Sequence, residues 1–326
     1  MKLLISLLTL GLFAFSASGQ MINYQIEEDD PDFANLVIGL EPFYIDMSRM
    51  NFPIGYGVSM MYTGKPIMLN ASFQRAGYID FNQFSINATP TLKKHYALEL
   101  GAAIPFVRKT VNKDIKVTLS ESSSGGYTTT RYITVPGTIQ RVTALRGGLY
   151  RSRNSFDNEK HGDIVLDSVV MVASVHDYQP GVNQWEAFFS NVTVTALYAG
   201  ISFTGTSNLR ISSSDFSGTR SNAKVNQVYI DGFFAPFVDL GSYIHTPSGD
   251  GFDLLPMGAY DLNDAYRKNR LGFRIGWASN NCFNGSKRAR IGLYSRMEAG
   301  ARPGIRGGGW YAMLSVGLGI NGKVGG

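Results

Sequence analysis

The sequence predicts an all-β chain, an antiparallel transmembrane β-barrel of about 10 to 14 strands, with about 12 the expected number because single-chain barrels favour even counts. Three observations carry that expectation. The chain opens on an export signal. No run after residue 19 is apolar for long enough to cross a bilayer as a helix. Segments of about ten residues instead alternate apolar side chains with small or polar ones, as strands do when lipid lies on one side and a lumen on the other.

The signal is read from Lys2, the apolar run Leu3 to Phe15 and the small-residue ending Ser16, Ala17, Ser18 and Gly19, with cleavage expected before Gln20. Residues 1–19 are thus a signal peptide. Residues 20–32, which hold Glu27, Glu28, Asp29, Asp30 and Asp32, form an expected acidic periplasmic leader that stays hydrated. Residues 33–326 remain as one outer-membrane barrel with no dividing linker. No cysteine follows the cleavage point to take a lipid anchor, and a single Cys282 excludes an internal disulfide framework although export would permit one.

Composition points the same way. Charged residues are 17% of the chain against a usual value of about 25%, while glycine reaches 37 of 326 residues, which is not the surface of an ordinary soluble protein. The net charge of +5 is dispersed, with no basic stripe bearing interleaved aromatics, so nucleic acid is excluded as a partner.

The strands follow in order. Residues 33–46 place Leu36, Ile38, Leu40 and Tyr44 on one face and Glu41 on the other. Phe52, Ile54, Tyr56, Val58 and Met60 alternate with Pro53, Gly55, Gly57 and Ser59, and Gly64-Lys65 turns that strand into Ile67, Leu69, Ala71 and Phe73. In His95 to Phe106, Tyr96, Leu98, Leu100, Ala102, Ile104 and Phe106 share a face opposite Ala97, Glu99, Gly101 and Ala103. A polar hairpin at Ser122 to Gly126 joins two β-rich arms, 111–119 and 127–135, and residues 138–150, 163–176, 185–204 and 223–238 are further candidates. The last three strands are clear on both faces. Leu271, Phe273, Ile275 and Trp277 oppose Gly272, Arg274, Gly276 and Ala278; Ala289, Ile291 and Leu293 oppose Arg290, Gly292, Tyr294, Arg296 and Glu298; Ala312, Leu314, Val316, Leu318 and Ile320 oppose Tyr311, Met313, Ser315, Gly317 and Gly319.

The signal before Gln20, the alternating strands and the terminal strand Trp310 to Ile320 resemble small bacterial outer-membrane barrels of the OmpA-like and porin-like kind. The chain departs from them at Asn321 to Gly326, where many such barrels end on an aromatic residue read during assembly. The signal peptide also resembles those of barrels that partner the type IX secretion and gliding machinery, but no residue motif accompanies it. The resemblance implies an outer-membrane location, contact with outer-membrane lipids and lipopolysaccharide, and other outer-membrane or periplasmic proteins as partners.

Residues that could carry chemistry are few. His161 and His176 flank Asp163, Asp167, Ser168 and Asp177, and His245 shares a loop with Ser248, Asp250 and Asp253, but no G-x-S-x-G elbow surrounds any serine. His95 reads as a strand-border residue. The carboxylates Asp250, Asp253, Asp261 and Asp264 lack the spacing of a calcium loop, and Gly304 to Gly309 lacks the G-K-[ST] ending of a phosphate loop. No catalytic residue, metal or cofactor is expected, and an envelope hydrolase is the least favoured reading.

The inward face is more telling. Glu41, Glu99, Arg274, Arg290, Arg296 and Glu298 all fall on it, three acids and three bases in a narrow interior where charges need partners. The expected function is therefore a non-enzymatic structural or accessory barrel of an envelope complex, its lumen largely closed by a charge network. The alternative is a small passive or substrate-specific channel.

Overall fold

The computed structural model describes residues 22–32, 34–49, 51–79, 93–157, 163–172, 174–185, 188–215, 218–246, 254–285, 289–307 and 309–324. The proposed signal peptide, and with it His161, Ser248, Asp250 and Asp253, lies outside them.

Ten strands form the wall: β2 (Ala34–Ser48), β3 (Ile54–Thr63), β4 (Met68–Ile79), β5 (Tyr96–Ser124), β6 (Tyr127–Asp157), β10 (Phe189–Ser212), β11 (Thr219–Asp239), β15 (Leu271–Gly285), β16 (Ala289–Ala301) and β18 (Trp310–Val324). Each pairs antiparallel with its neighbour in that order, and β18 closes on β2. A short β1 (Gln25–Asp29) adds to the edge of β10. Seven small strands lie in the connections: β7 (Ile164–Leu166), β8 (Val169–Val172), β9 (Gln184–Trp185), β12 (Ser242–His245), β13 (Gly258–Asp261), and β14 (Lys268–Asn269), which pairs with β17 (Gly304–Ile305). Among the described residues the helical content is one 3-10 turn, Val175–Asp177.

Period two decides which side chains line the lumen. Along β5, Ala97, Glu99 and Ala103 are buried while Leu100 and Ile104 are exposed outward; along β15, Arg274 is buried between exposed Phe273 and Ile275. The wall's outer face is consequently apolar, and Phe273 and Trp310 meet edge to face across it near one rim.

Ten wall strands fall within the range expected and two short of twelve, for an identifiable reason. The arms 111–119 and 127–135 are not separate strands: they continue β5 and β6 beyond the barrel as one long hairpin, turned at Gly125 and Gly126, whose φ of +58° and +82° suit glycine in a two-residue turn. Residues 163–176 stay in a loop as β7 and β8. One facing assignment is also corrected. Tyr44 was expected outward with Leu36 and Leu40, but it is buried in the lumen, because the ladder slips between Glu41 and Tyr44 and shifts the alternation by one at Pro42. Such a bulge re-aims everything that follows it, so Phe43 and Met47 are exposed and Tyr44 and Asp46 turn inward.

The seams are unequal. Strands β5 and β6 are laddered from Tyr96↔Arg153 to Ser124↔Tyr127. Strands β6 and β10 are laddered only from Phe189↔Asp157 to Val192↔Asn154 and at Ala196↔Tyr150; from Leu197 and Leu149 onward they run side by side without ladder pairing. Beyond the wall the β5–β6 hairpin lies over the β10–β11 hairpin, burying Ile115, Val117 and Val135 against Leu209 and Ile211.

Candidate functional site: a charge layer across the lumen

Six ionised side chains meet at mid-lumen, each delivered by the inward phase of its strand: Glu99 on β5, Arg146 on β6, Asp231 on β11, Arg274 on β15, and Arg296 with Glu298 on β16. All are buried, Arg274 completely. In the ring of ten strands β5 and β16 stand opposite each other, yet Arg296 Nη2 donates to Glu99 Oε2 at 2.7 Å. The network therefore reaches from wall to wall.

Glu99 is its centre. Arg274 binds it with both terminal nitrogens, at 2.7 and 2.8 Å, and Arg146 adds a bond of 3.0 Å and Asn70 one of 2.9 Å. The Nε of Arg274 donates to Asp231 at 2.7 Å, and Arg146 Nε lies 3.2 Å from Asp231 as an ion pair without hydrogen-bond alignment. Glu298 takes bonds from Arg296, Arg274, Tyr229 and Tyr311. Aromatic faces cover the guanidinium planes: Arg146 lies 4.1 Å from the Tyr229 centroid and Arg274 4.8 Å from that of Tyr198. Three acids face three bases, so the layer is neutral. Isolated charges in such a place would cost several kcal/mol each, which paired and hydrogen-bonded geometry offsets. The free space beside Glu99 and Arg296 is about 30 Å³, room for a water molecule by the usual measure.

The expected network is thus partly one cluster. Glu99, Arg274, Arg296 and Glu298 converge; Glu41 and Arg290 do not join them. Glu41 is buried nearby, held by the Ser315 hydroxyl at 2.5 Å and the Gln74 amide at 3.3 Å. Arg290 lies toward the end where β2 begins, paired with Glu28 of β1 at 3.2 Å and bonded to Asn208. Arg146 and Asp231 were missed although the signal was present: Val142, Ala144, Arg146 and Tyr150 alternate with Thr143, Leu145 and Leu149, and Val225, Gln227, Tyr229 and Asp231 with Val228 and Ile230.

A second polar group sits nearer the opposite rim. His95, fully buried just before β5, places Nε2 2.9 Å from the Tyr44 hydroxyl and 3.5 Å from Asp46, and its Nδ1 meets Asn154. Arg302 donates to Asp46 at 2.5 Å and stacks 3.6 Å over the Tyr311 ring. Sequence reasoning missed this group because Asp46 turns inward only through the bulge at Pro42. Beyond it an apolar cap of loop residues, among them Phe188, Leu240, Tyr243, Leu262 and Tyr266, packs with Phe156 of β6 onto Tyr150 and Phe233 at the mouth.

The other proposed chemical residues are scattered. His176 is exposed in the 3-10 turn, and His245 is buried on β12 against the Tyr243 hydroxyl at 3.0 Å. Among the described residues no group of three metal-ligating side chains occurs.

Outside the wall the acidic segment is tied down by bases: Glu27 to Arg210 at 2.9 Å, and Asp32 to Lys65 at 3.2 Å with the Gln140 amide at 2.6 Å. That amide bond, aided by the Lys65 ammonium, holds the Asp32 carboxyl below its ordinary range.

No family model and no curated protein matches the chain. Among solved structures it is similar to a TodX deltaS2S3 mutant monoaromatic hydrocarbon channel, at 10% identity over 90% of this chain and 91% of that one with a TM-score of 0.21. It is similar also to the CymD monoaromatic hydrocarbon channel, at 11% identity over 91% and 90% with a TM-score of 0.22. A third is the Pseudomonas putida toluene transporter TodX, at 9% identity over 90% of each chain with a TM-score of 0.21. Two of these neighbours are named as channels and one as a transporter.

Proposed function

We propose that this chain is a bacterial outer-membrane β-barrel whose lumen is closed, acting as a structural or accessory component of the envelope. The wall-to-wall charge layer is the observation that carries the reading: a bond of 2.7 Å joins side chains of opposite strands across the lumen. The apolar outer face supports the membrane location, since barrel strands pair their backbone groups with one another and present apolar side chains to lipid. Orientation follows from the connections. Those at the end of Ala34 and Val324 are short, 64–67 and 213–218 among them, whereas 80–95, 158–188 and 240–270 at the other end are long, and long loops face outward from the cell. The β5–β6 hairpin then hangs on the periplasmic side, where it offers an extended surface to other envelope proteins.

One observation favours a second reading, a substrate-specific channel. The β6–β10 seam carries the fewest ladder pairs of the wall, although the strands stay in contact, so it is where they would part most easily to pass a small apolar solute sideways without crossing the charge layer. Planar-bilayer recording and liposome swelling on purified protein test the two together. We expect negligible ion conductance and no swelling-detected uptake; steady conductance, or uptake of small apolar solutes, would replace the first reading by the second.

A further inference from the structure

The outward wall at the loop end carries a cluster that the closed-lumen reading does not use. On three adjacent strands the ladder aligns Arg75 of β4, Tyr96 of β5 and Arg153 of β6 in one outward-facing row. Lys93 and Lys94, just before β5, are both exposed beside it. With Phe73 these residues line an open cavity of about 520 Å³.

Position and partners make the cluster unusual. Below it the outward residues are apolar except Arg151 of β6 in the next row: Leu69 and Phe73 on β4, Leu100 and Ile104 on β5, Leu145 and Leu149 on β6. The cations therefore begin where the apolar band stops. Arg153 stacks 5.0 Å from the Tyr96 ring, which holds its guanidinium against the wall. Among the described residues no carboxylate reaches ion-pair distance of Arg75, Lys93, Lys94 or Arg153, whereas the interior bases Arg146, Arg274, Arg296 and Arg302 each have one. Four unneutralised cations around a concave, half-apolar surface at the membrane boundary call for a ligand with several negative oxygens and an apolar attachment.

The geometry points to a binding site for the phosphate groups of an outer-leaflet glycolipid of the lipopolysaccharide type, with Arg75, Lys93, Lys94 and Arg153 as phosphate ligands and Phe73 and Tyr96 against the first part of its acyl chains. Guanidinium groups suit phosphate because they present paired donors. The assignment rests on the outer-membrane reading and its orientation, since only there does the loop end meet that leaflet.

Native mass spectrometry of the detergent-solubilised full mature chain tests it, with bisphosphorylated lipid A, the same lipid with both phosphates removed, and inorganic phosphate as probes. Bisphosphorylated lipid should stay bound and the dephosphorylated form should not. The triple variant Arg75→Gln/Lys94→Gln/Arg153→Gln should weaken binding about 100-fold, three cations each contributing near the surface, while Lys109→Gln/Lys113→Gln/Lys116→Gln on the hairpin, an equal change of charge, should leave it within threefold. Binding insensitive to the phosphates, or weakened equally by both triples, overturns the site. Displacement of the lipid by submillimolar inorganic phosphate would overturn the lipid as its source. Heat-modifiability on gels confirms that each variant is folded; if the triple fails to fold, Arg153→Gln alone should weaken binding and Arg153→Lys should restore most of it. Density-gradient fractionation is read separately: recovery away from the outer membrane sinks the location, whereas outer-membrane recovery with phosphate-independent lipid binding sinks only the site.

Discussion

At mid-lumen six ionised side chains from five strands face one another, with Glu99 bound by three arginines; at the loop-end mouth Phe188 stacks 4.5 Å from Tyr243, and Phe156 meets Tyr266 edge to face. The two regions occupy the same passage with opposite chemistry, and the difference follows from what holds the side chains. Strands fix the Cβ positions at mid-lumen, so long charged groups can be aimed at one another with the accuracy that buried ion pairs demand. Loops cannot guarantee that aim. Apolar contacts are non-directional and tolerate small shifts, so the mouth is filled by rings and aliphatic chains.

The largest test of that contrast removes the centre of the layer. Glu99→Ala strands Arg146, Arg274 and Arg296 without their shared anion, and breaking one partner of a buried pair costs about 3 to 5 kcal/mol. We expect a drop in the unfolding temperature of the detergent-solubilised barrel, read by loss of heat-modifiability. Arg290→Ala should cost less, since its partner Glu28 is partly exposed. Equal effects would mean that the six-charge layer is not a unit.

In the cap, Leu262→Ala deletes a fully buried side chain and should cost about 2 to 3 kcal/mol, toward the lower end because loops can collapse into the space. The loss should be local: proteolysis should find the loops 158–188 and 240–270 while the wall stays heat-modifiable, and conductance should stay low because the charge layer remains. If Leu262→Ala opens the barrel, the cap and not the layer is what closes it.

A third substitution uses the same strand to compare its faces. Leu100→Arg puts a base one residue from Glu99 but on the outward side, where Arg costs about 2 to 4 kcal/mol at the bilayer midplane; yield of folded barrel is the readout. The inward control needs care. Sequence alone suggests Gly101→Ser as a mild change, yet a Cβ at Gly101 would lie 1.8 Å from the Tyr198 hydroxyl, and Tyr198 also bonds Asn70 in the layer. Gly101→Ser should therefore disturb the interior as well, and tolerance of Leu100→Arg alone would show the register to be wrong.

These regions also differ in how far the sequence revealed them. The period-two pattern placed Glu99, Arg274, Arg296 and Glu298 inward because their strands run unbroken across the barrel. It misplaced Tyr44, and so hid the Asp46, His95 and Arg302 group, because a bulge at Pro42 changes the phase without changing the composition. The loop cap was not legible at all. Phe188 and Tyr243 come from different loops, and no local periodicity encodes a contact between them. The hairpin arms were seen as β-rich, but whether they crossed the membrane depended on long-range pairing that residue type does not report.

The smallest expected effect concerns the acidic segment before β2, which neither closure involves. The Gln140 amide and the Lys65 ammonium lower the Asp32 carboxyl below its ordinary value of about 3.8, so the segment's tie is present in full above that value and is lost as pH falls through the lower value of the folded state. Asp32 is more than a third exposed, and water screens such a pair, so the contribution is a few tenths of a kcal/mol to about 1. Hydrogen exchange of the amides of residues 25–32, corrected for the intrinsic pH dependence, should show protection at pH 5 and partial loss near pH 3. Asp32→Asn should show the loss already at pH 5. The mid-lumen amides should keep their protection at pH 3, since the charge layer does not lean on this tie. Simultaneous loss in both regions would mean that the N-terminal segment supports the barrel interior and is not merely fastened to its rim.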